Sequence, residues 1–464
     1  MAEAQAKFLT GSLFRHVVVM SATSSIGLMA IFLVDLVDML FISMLGKDEL
    51  AAAVGYAGAI LFFTTSFGIG MAIAAGALVA QALGEGDRQK AGRRAATSLL
   101  YGFIFAAIFS AIVWFNLEYL AGLMGASGVT LELAVGYLQI IIPTLPILLI
   151  GMVSGAILRA HGDARRSMMS TIIGGAVNAV LDPILIFGLD MELSGAAWAS
   201  VAARFAIAFC SLYPVIRFHN GLDKPTPAQF RVDLTAIVGI AGPAILTQLA
   251  TPIGQAYVTR TMATYGEDAV AGMAIVGRLT PVAFGMIFAL SGAVGPVIGQ
   301  NFGAGQHDRV RIAFRESLLF TAIWVLGMTA LLFMLRGPIL ALFSVADGTM
   351  AATLVLLFCG PLALAFFFNG ALFVSNAAFN NLGHPFYSTW LNWGRNTLGT
   401  IPLVYFGALW FGAPGVLIGQ ALGGVIFALI AMLLAKRVMG LRKDHTHAPF
   451  ARQARLMSLF HFRR

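Results

Sequence analysis

GALVAQALGEGDR, running from Gly76 to Arg88, returns later in the chain as GPVIGQNFGAGQHDR, from Gly295 to Arg309. Each copy closes an apolar run with a glutamine, then two glycines, then an Asp-Arg pair: Gln81, Gly84, Gly86, Asp87 and Arg88, against Gln300, Gly303, Gly305, Asp308 and Arg309. Outward from this pair, LGKDELAA from Leu45 faces YGEDAVAG from Tyr265, and DPILIFG from Asp182 faces IPLVYFG from Ile401. The offset stays near 220 residues throughout, so the chain is a duplication of one unit. The longest polar connection, 217–234, carries Arg217, His219, Asp223, Lys224, Pro225, Pro227 and Arg231 and divides the two copies.

The unit is built for lipid. Of the 464 residues, 59% are hydrophobic and only 11% charged, with a mean hydropathy of +0.86, whereas soluble domains carry about 25% charged residues. Twelve apolar runs fit, at roughly 16–44, 50–81, 95–117, 130–158, 167–188, 194–216, 235–264, 270–300, 312–335, 350–380, 386–409 and 414–435. Each is long enough to span a bilayer as a helix. Barrel strands are far shorter, and lipid offers no partner to an open backbone, so the fold class is all-α and polytopic. The first apolar run is read as a span rather than a cleaved leader, because Met1 to Arg15 shows no short apolar stretch followed by a cleavage site. Cys210 and Cys359 both fall in apolar runs and read as small core residues.

Lysine and arginine orient the spans. One set of connections and both tails carry 23 of the 29, the opposite set carries Lys47 and Arg336, and four lie within spans. This bias places both termini and the 217–234 linker in the cytoplasm. Because six spans separate the copies, they share one orientation and are related by an axis along the membrane normal, a transporter architecture. The organisation expected is an N-lobe at 1–216, the linker 217–234, a C-lobe at 235–440 and a basic cytoplasmic tail at 441–464.

Ionisable groups in mid-bilayer cost at least ~2.5–3.5 kcal/mol on insertion scales, so each needs a partner or a task. The candidates are Asp35, Asp38, Asp182, Arg204, Arg260, Arg278 and Arg395. Asp38, Asp182 and Ser200 lie six to eight residues from the outer ends of spans one, five and six. At ~1.5 Å per residue they share a depth of roughly 9–12 Å. Asn178 stands one turn before Asp182 on the same face, and Pro183 withholds a backbone donor from the carbonyl of Ala179. This set of hard oxygen donors suits Na⁺ or a proton, with Na⁺ held at Asp38, Asn178 and Asp182. Asp35 and Arg204, each one turn deeper, form a possible charge pair. At the mirror positions the second half has Val258, Thr397, Ile401 and Gln420, with no carboxylate.

The VD-then-LG end of span one (Asp38 to Gly46), the Gln-Gly-Gly connections after spans two and eight, NAVLDPILIFG (Asn178 to Gly188) and GAAWAS (Gly195 to Ser200) together resemble the multidrug and toxic compound extrusion (MATE) transporters. The likeness covers about residues 15 to 436. It implies twelve helices in two six-helix lobes, and antiport of Na⁺ or H⁺ against a drug-like, often cationic, substrate. Asp38, Asn178, Asp182 and Ser200 match that family's N-lobe cation-site pattern, with serine where threonine is often found. The missing acids in the second half make the sequence look closer to the DinF-like branch. One departure is Thr23, which stands in span one where span seven has Pro243, so the proline-centred bend often seen in the family is unsupported; Ser24, Ser25 and Gly27 still permit bending.

A soft substrate surface is expected from Met29, Phe32, Met286, Phe288 and Phe367; Arg260, Arg278 and Arg395 either bond backbone carbonyls, the structural role favoured for them, or line the second half's cavity, where Arg278 and Arg395 are the candidates. The expected setting is the bacterial plasma membrane, with a monomer handling a small molecule, without cofactor or nucleic acid. A lipid or polysaccharide flippase of the same superfamily is the alternative within transport. A membrane-embedded prenyl-transferring enzyme would need two acid-rich motifs for Mg²⁺-pyrophosphate, and Asp35 with Asp38 supply one. No GxxxxGK[ST] loop occurs, which disfavours a nucleotide-driven pump.

Overall fold

The computed structural model describes residues 6–219 and 221–440. Twelve spans follow in order: α1 (Leu13–Met44), α2 (Asp48–Gly84), α3 (Arg88–Phe115), α4 (Gly128–Ala160), α5 (Ala164–Gly188), α6 (Glu192–His219), α7 (Pro227–Ala263), α8 (Glu267–Gly303), α9 (His307–Leu342), α10 (Met350–Asn381), α11 (385–411) and α12 (413–440). The last two form one continuous stretch, Pro385–Gly440, broken where Gly412 takes φ 64°. A Cβ on Gly407 would lie 2.2 Å from the carbonyl oxygen of Gly415, so only glycine lets the two helices of this hairpin touch backbone to backbone.

The repeat is carried into the turns. Gly86 after α2 and Gly305 after α8 take φ 80° and 71°, a left-handed conformation that ends each helix without a steric penalty. Asp87 then caps α3 by accepting from the backbone N–H of Lys90 at 2.8 Å. The connection between halves is shorter than the 217–234 expected: α6 continues to His219 and α7 begins at Pro227, with a capping box at Thr226 and Gln229. The expected tail, 441–464, lies outside the described residues.

The first helix of each half is shared. At its N-terminal end α1 puts Leu13, Val17 and Met20 into a core with Val297, Phe314 and Phe379 of the second half. At its other end Ile42 packs with Leu50, Ala134 and Ile186 of the first half. The mirror holds for α7, whose Ile237 and Ile240 join Leu78 and Leu149 while Val258 and Met262 join Leu354 and Val416. No proline interrupts α1, which runs as one helix, whereas α7 contains Pro243 and Pro252.

This exchange seals one face, the one that carries most of the lysines and arginines, called the basic face below. A Cβ on Gly84 would meet the carbonyl oxygen of Gln300 at 2.0 Å, and one on Gly303 that of Gln81 at 2.1 Å. The two repeat glutamines then reach across: Gln81 Nε2 donates to the Asn381 carbonyl and Gln300 Nε2 to that of Ala160, both at 2.7 Å. A short 3₁₀ turn, Lys7–Leu9, is wedged over the joint with Phe8 only 1% exposed. The Phe8 N–H donates to Gln300 Oε1 at 2.8 Å, its carbonyl accepts from Asn301 and Arg309, and Lys7 Nζ donates to the Gly162 carbonyl at 2.7 Å. Among the described residues, every hydrogen bond joining the two halves lies toward this face.

Candidate functional site

Asp38 comes from α1, Asn178 and Asp182 from α5, and the side chains meet. The Asn178 amide donates to Asp38 Oδ1 at 2.9 Å and to Asp182 Oδ2 at 2.8 Å, so one nitrogen bridges two carboxylates. Asp182 is completely buried and Asn178 nearly so, while Asp38 is half-buried. The second oxygen of Asp182, Oδ1, is buried and has no hydrogen-bond partner. Buried polar atoms are almost always satisfied, and two carboxylates this close repel each other unless a positive charge is shared between them. The arrangement therefore offers an incoming cation or proton an unpartnered oxygen beside a second acid.

Local sequence explains the placement. Pro183 follows Asp182 directly, and the helix widens into a π turn over Ile184–Gly188, the kind of defect that accumulates at functional positions in helices. Gly195 of α6 presses against this turn, for a Cβ there would sit 2.8 Å from the Leu185 carbonyl carbon. One turn or so further along α6, Ser200 is brought alongside. It forms no hydrogen bond with either carboxylate; the phenol of Tyr137, on α4, engages it instead and also stands close to Asp38, Asp182 and Arg204. Tyr137 was missed in the sequence. Counted from Gly128, it lies about 14 Å into its span at ~1.5 Å per residue, so the depth argument that found the acids, extended to phenols, finds it too.

The expected pair of Asp35 and Arg204 is not formed. Arg204 turns away to the Ile141 carbonyl and the Thr144 hydroxyl of α4, each at 2.9 Å. Those acceptors are freed where Pro143 breaks α4 into a 3₁₀ turn, and a guanidinium can satisfy them without the cost of burying a second charge. Asp35 is exposed. The residues expected to line a substrate cavity take up packing positions on α1, α8 and α10. Met29 packs on Gly285 at the crossing of α1 and α8, Phe32 is half-buried, and Met286, Phe288 and Phe367 lie against the second half's core. Arg278 is exposed on α8.

In the second half the four mirror positions are inert. Val258 is fully buried in an apolar cluster, Thr397 returns its hydroxyl to the Trp393 carbonyl at 2.7 Å, and Gln420 donates to Gln255 at 3.2 Å. Ile401 is 36% exposed.

Two copies of a six-helix unit in parallel, sealed against one another at one face and with an acid cluster within the spans of the first, define a membrane transporter of the parallel-repeat kind. The family model described as MatE matches residues 24–184 and 243–406, one stretch in each half, and the chain belongs to that family. It is 29% identical to the FAD transporter of Shewanella oneidensis over 441 residues, 93% of this chain and 96% of that one. It is 25% identical to the multidrug export protein MepA of Staphylococcus haemolyticus over 434 residues, covering 92% and 94% of the two chains. Among solved structures, a MATE transporter in complex with MaL6 superposes with a TM-score of 0.87 at 24% identity, over 95% of this chain and all of that one. The Vibrio cholerae MATE transporter VcmN in the bent form gives 0.86 at 23% identity, over 92% and 97%. These last two likenesses concern the fold. The chain is a transporter and not an enzyme.

Proposed function

We propose that this protein is a secondary-active exporter of organic molecules, driven by entry of Na⁺ or protons through the Asp38–Asn178–Asp182 cluster, with the basic face in the cytoplasm of a bacterial cell. The observation that carries the reading is the unpartnered Asp182 oxygen, buried beside Asp38 with one amide bridging the two acids. A single positive charge entering there satisfies the orphaned atom and offsets the repulsion of the carboxylates. The closed basic face fits a state in which this cluster is reached from outside. Cation entry alters how α1 and α5 hold each other, and α1 is anchored in both halves, so loading the site bears on the seal at the far end. A cation shifts the balance of states only by its differential affinity for them; the exported molecule must therefore favour the opposite arrangement.

Proteoliposomes carrying an imposed Na⁺ or proton gradient, with ethidium as the probe, test this. Asp38→Asn and Asp182→Asn are each expected to abolish gradient-driven ethidium movement at normal expression. Wild-type rates in Asp38→Asn would defeat the mechanism. Labelling of a cysteine at Lys47 only from the cytoplasmic side would reject the orientation.

A further inference from the structure

The second half has its own charge within a span, half-buried, and it is the opposite of the first half's. Arg395 opens the π turn Arg395–Gly399 in the middle of α11, ten residues from Pro385, which at ~1.5 Å per residue puts it about 15 Å from the basic face. Among the described residues its guanidinium makes no hydrogen bond and no ion pair. Nε lies 3.7 Å from the point where a Cβ on Gly424 would stand, and Asn369 Oδ1 lies 4.0 Å from the same point. That amide oxygen is itself buried without a partner. Three spans, α10, α11 and α12, therefore bring together an unpaired guanidinium, an unpartnered amide oxygen and a glycine.

The first half shows what an arginine at this depth looks like when its role is structural. Gly424 is the repeat counterpart of Arg204 at the offset that relates Ser200 to Gln420. Arg204 is satisfied by Ile141 and Thr144; in the second half the side chain is deleted at that position and a guanidinium is supplied from α11 with no acceptor provided. A cation left unsatisfied within a span is costly, and a guanidinium presents its donors in a fork matched to oxyanions.

We propose that Arg395 receives an anionic group, a carboxylate or a phosphate, on the molecule this protein transports. The assignment rests on the exporter reading for its source of ligand. Mid-span depth separates the pocket from lipid headgroups, which stay at the interface. It also separates it from the acid cluster, so substrate and driving cation are not rivals for the same side chains.

The test is equilibrium binding to the purified full-length protein in detergent, read by flavin fluorescence, with FMN and riboflavin as probes that differ by one phosphate. Wild type is expected to bind FMN about tenfold or more tightly than riboflavin, a gap of roughly 1.4 kcal/mol. Arg395→Gln should erase that preference while leaving riboflavin unchanged, and Arg395→Lys should keep part of it. Should Arg395→Gln fold poorly, Asn369→Asp supplies an internal counter-ion and is expected to erase the preference with the arginine in place. Equal binding of the two flavins by wild type, or a preference that survives in the folded Arg395→Gln or Asn369→Asp variant, overturns the proposal. Because binding needs no gradient, its failure is separate from failure of gradient-driven transport, which would count against the exporter reading alone.

Discussion

Asp38, Asn178 and Asp182 in the first half and Val258, Thr397 and Ile401 in the second occupy matching places on matching helices, yet one set is a bridged acid cluster and the other is apolar or satisfied by its own helix. Both halves fold into six-helix units, so the scaffold does not depend on the acids. The same contrast recurs one turn deeper with the sign reversed, where Arg204 is bonded and Arg395 is free. Duplication supplied two equal frames, and the halves have placed unlike charges in them.

The harshest way to test that contrast is to move an acid across it. Val258→Asp would put a carboxylate in a fully buried apolar cluster with no amide to receive it, at a cost of several kcal/mol. We expect loss of monodisperse protein on size exclusion, whereas Asp38→Val should purify normally. A well-folded Val258→Asp protein would mean that the second half tolerates an acid as readily as the first, and the comparison would lose its force.

The arginines should differ next. Arg204→Met breaks two hydrogen bonds from a charged donor and leaves the Ile141 carbonyl only the Thr144 hydroxyl, for a loss of about 1.5–3 kcal/mol, seen as a lower Tm in detergent. Arg395→Met removes an unpaired charge and should leave Tm unchanged or raised. Equal losses in both would show that Arg395 has structural partners after all.

A third difference lies in the turns at the basic face. His161 precedes Gly162, stacks on His219 at 4.6 Å, and is pushed down to about 4 by burial and by the positive charges of His219 and Arg88, against the opposing pull of Asp163. Its counterpart before Gly383 is Leu382, buried and without charge. A histidine held below its ordinary value of about 6.5 stays neutral in the folded protein while the unfolded chain takes up a proton, so stability should fall as pH drops from about 6.5 toward 4. His161→Leu should flatten that slope of Tm against pH and match wild type near pH 8. An unchanged slope would remove His161 from the account.

Smallest of all should be Thr397→Ala, at the mirror of Asn178. It forfeits one hydroxyl bond to its own helix, worth under about 1 kcal/mol, and gradient-driven transport should stay within twofold of wild type. A loss comparable to that in Asp182→Asn would bring the second half into the cation pathway.

Much of this was legible in the sequence because lipid leaves few solutions. Apolar length alone yields the spans, the repeated Gln-Gly-Gly turns give the duplication, and the expense of a charge in a bilayer singles out Asp38 and Asp182. Depth along a helix is readable; azimuth is less so. Asp35 and Arg204 share a depth and do not meet, because Pro143 opens backbone acceptors on α4 that no count of residues reveals. Tyr137 was legible by depth once phenols are counted with the charges, whereas the limit of azimuth left Arg395 indistinguishable from a bonded arginine until its surroundings were in view. Met29, Phe32 and Phe367 meet the same limit, since a stripe of soft side chains looks alike whether it faces a cleft, a neighbouring helix or lipid.

The shared first helices carry a mechanical consequence. With one end of α1 held in the second half's core and the other in the first half's, any rotation of the two bodies must load that helix like a beam clamped at both supports. In α7, Pro243 and Pro252 provide a compliant joint where backbone hydrogen bonds are already absent. In α1 there is none. Flexure there must stretch intact hydrogen bonds near Ser24, Ser25 and Gly27, and the work so stored is returned when the bodies swing back. The pair is thus mechanically unequal, a stiff helix that bears Asp38 opposite one with two proline joints.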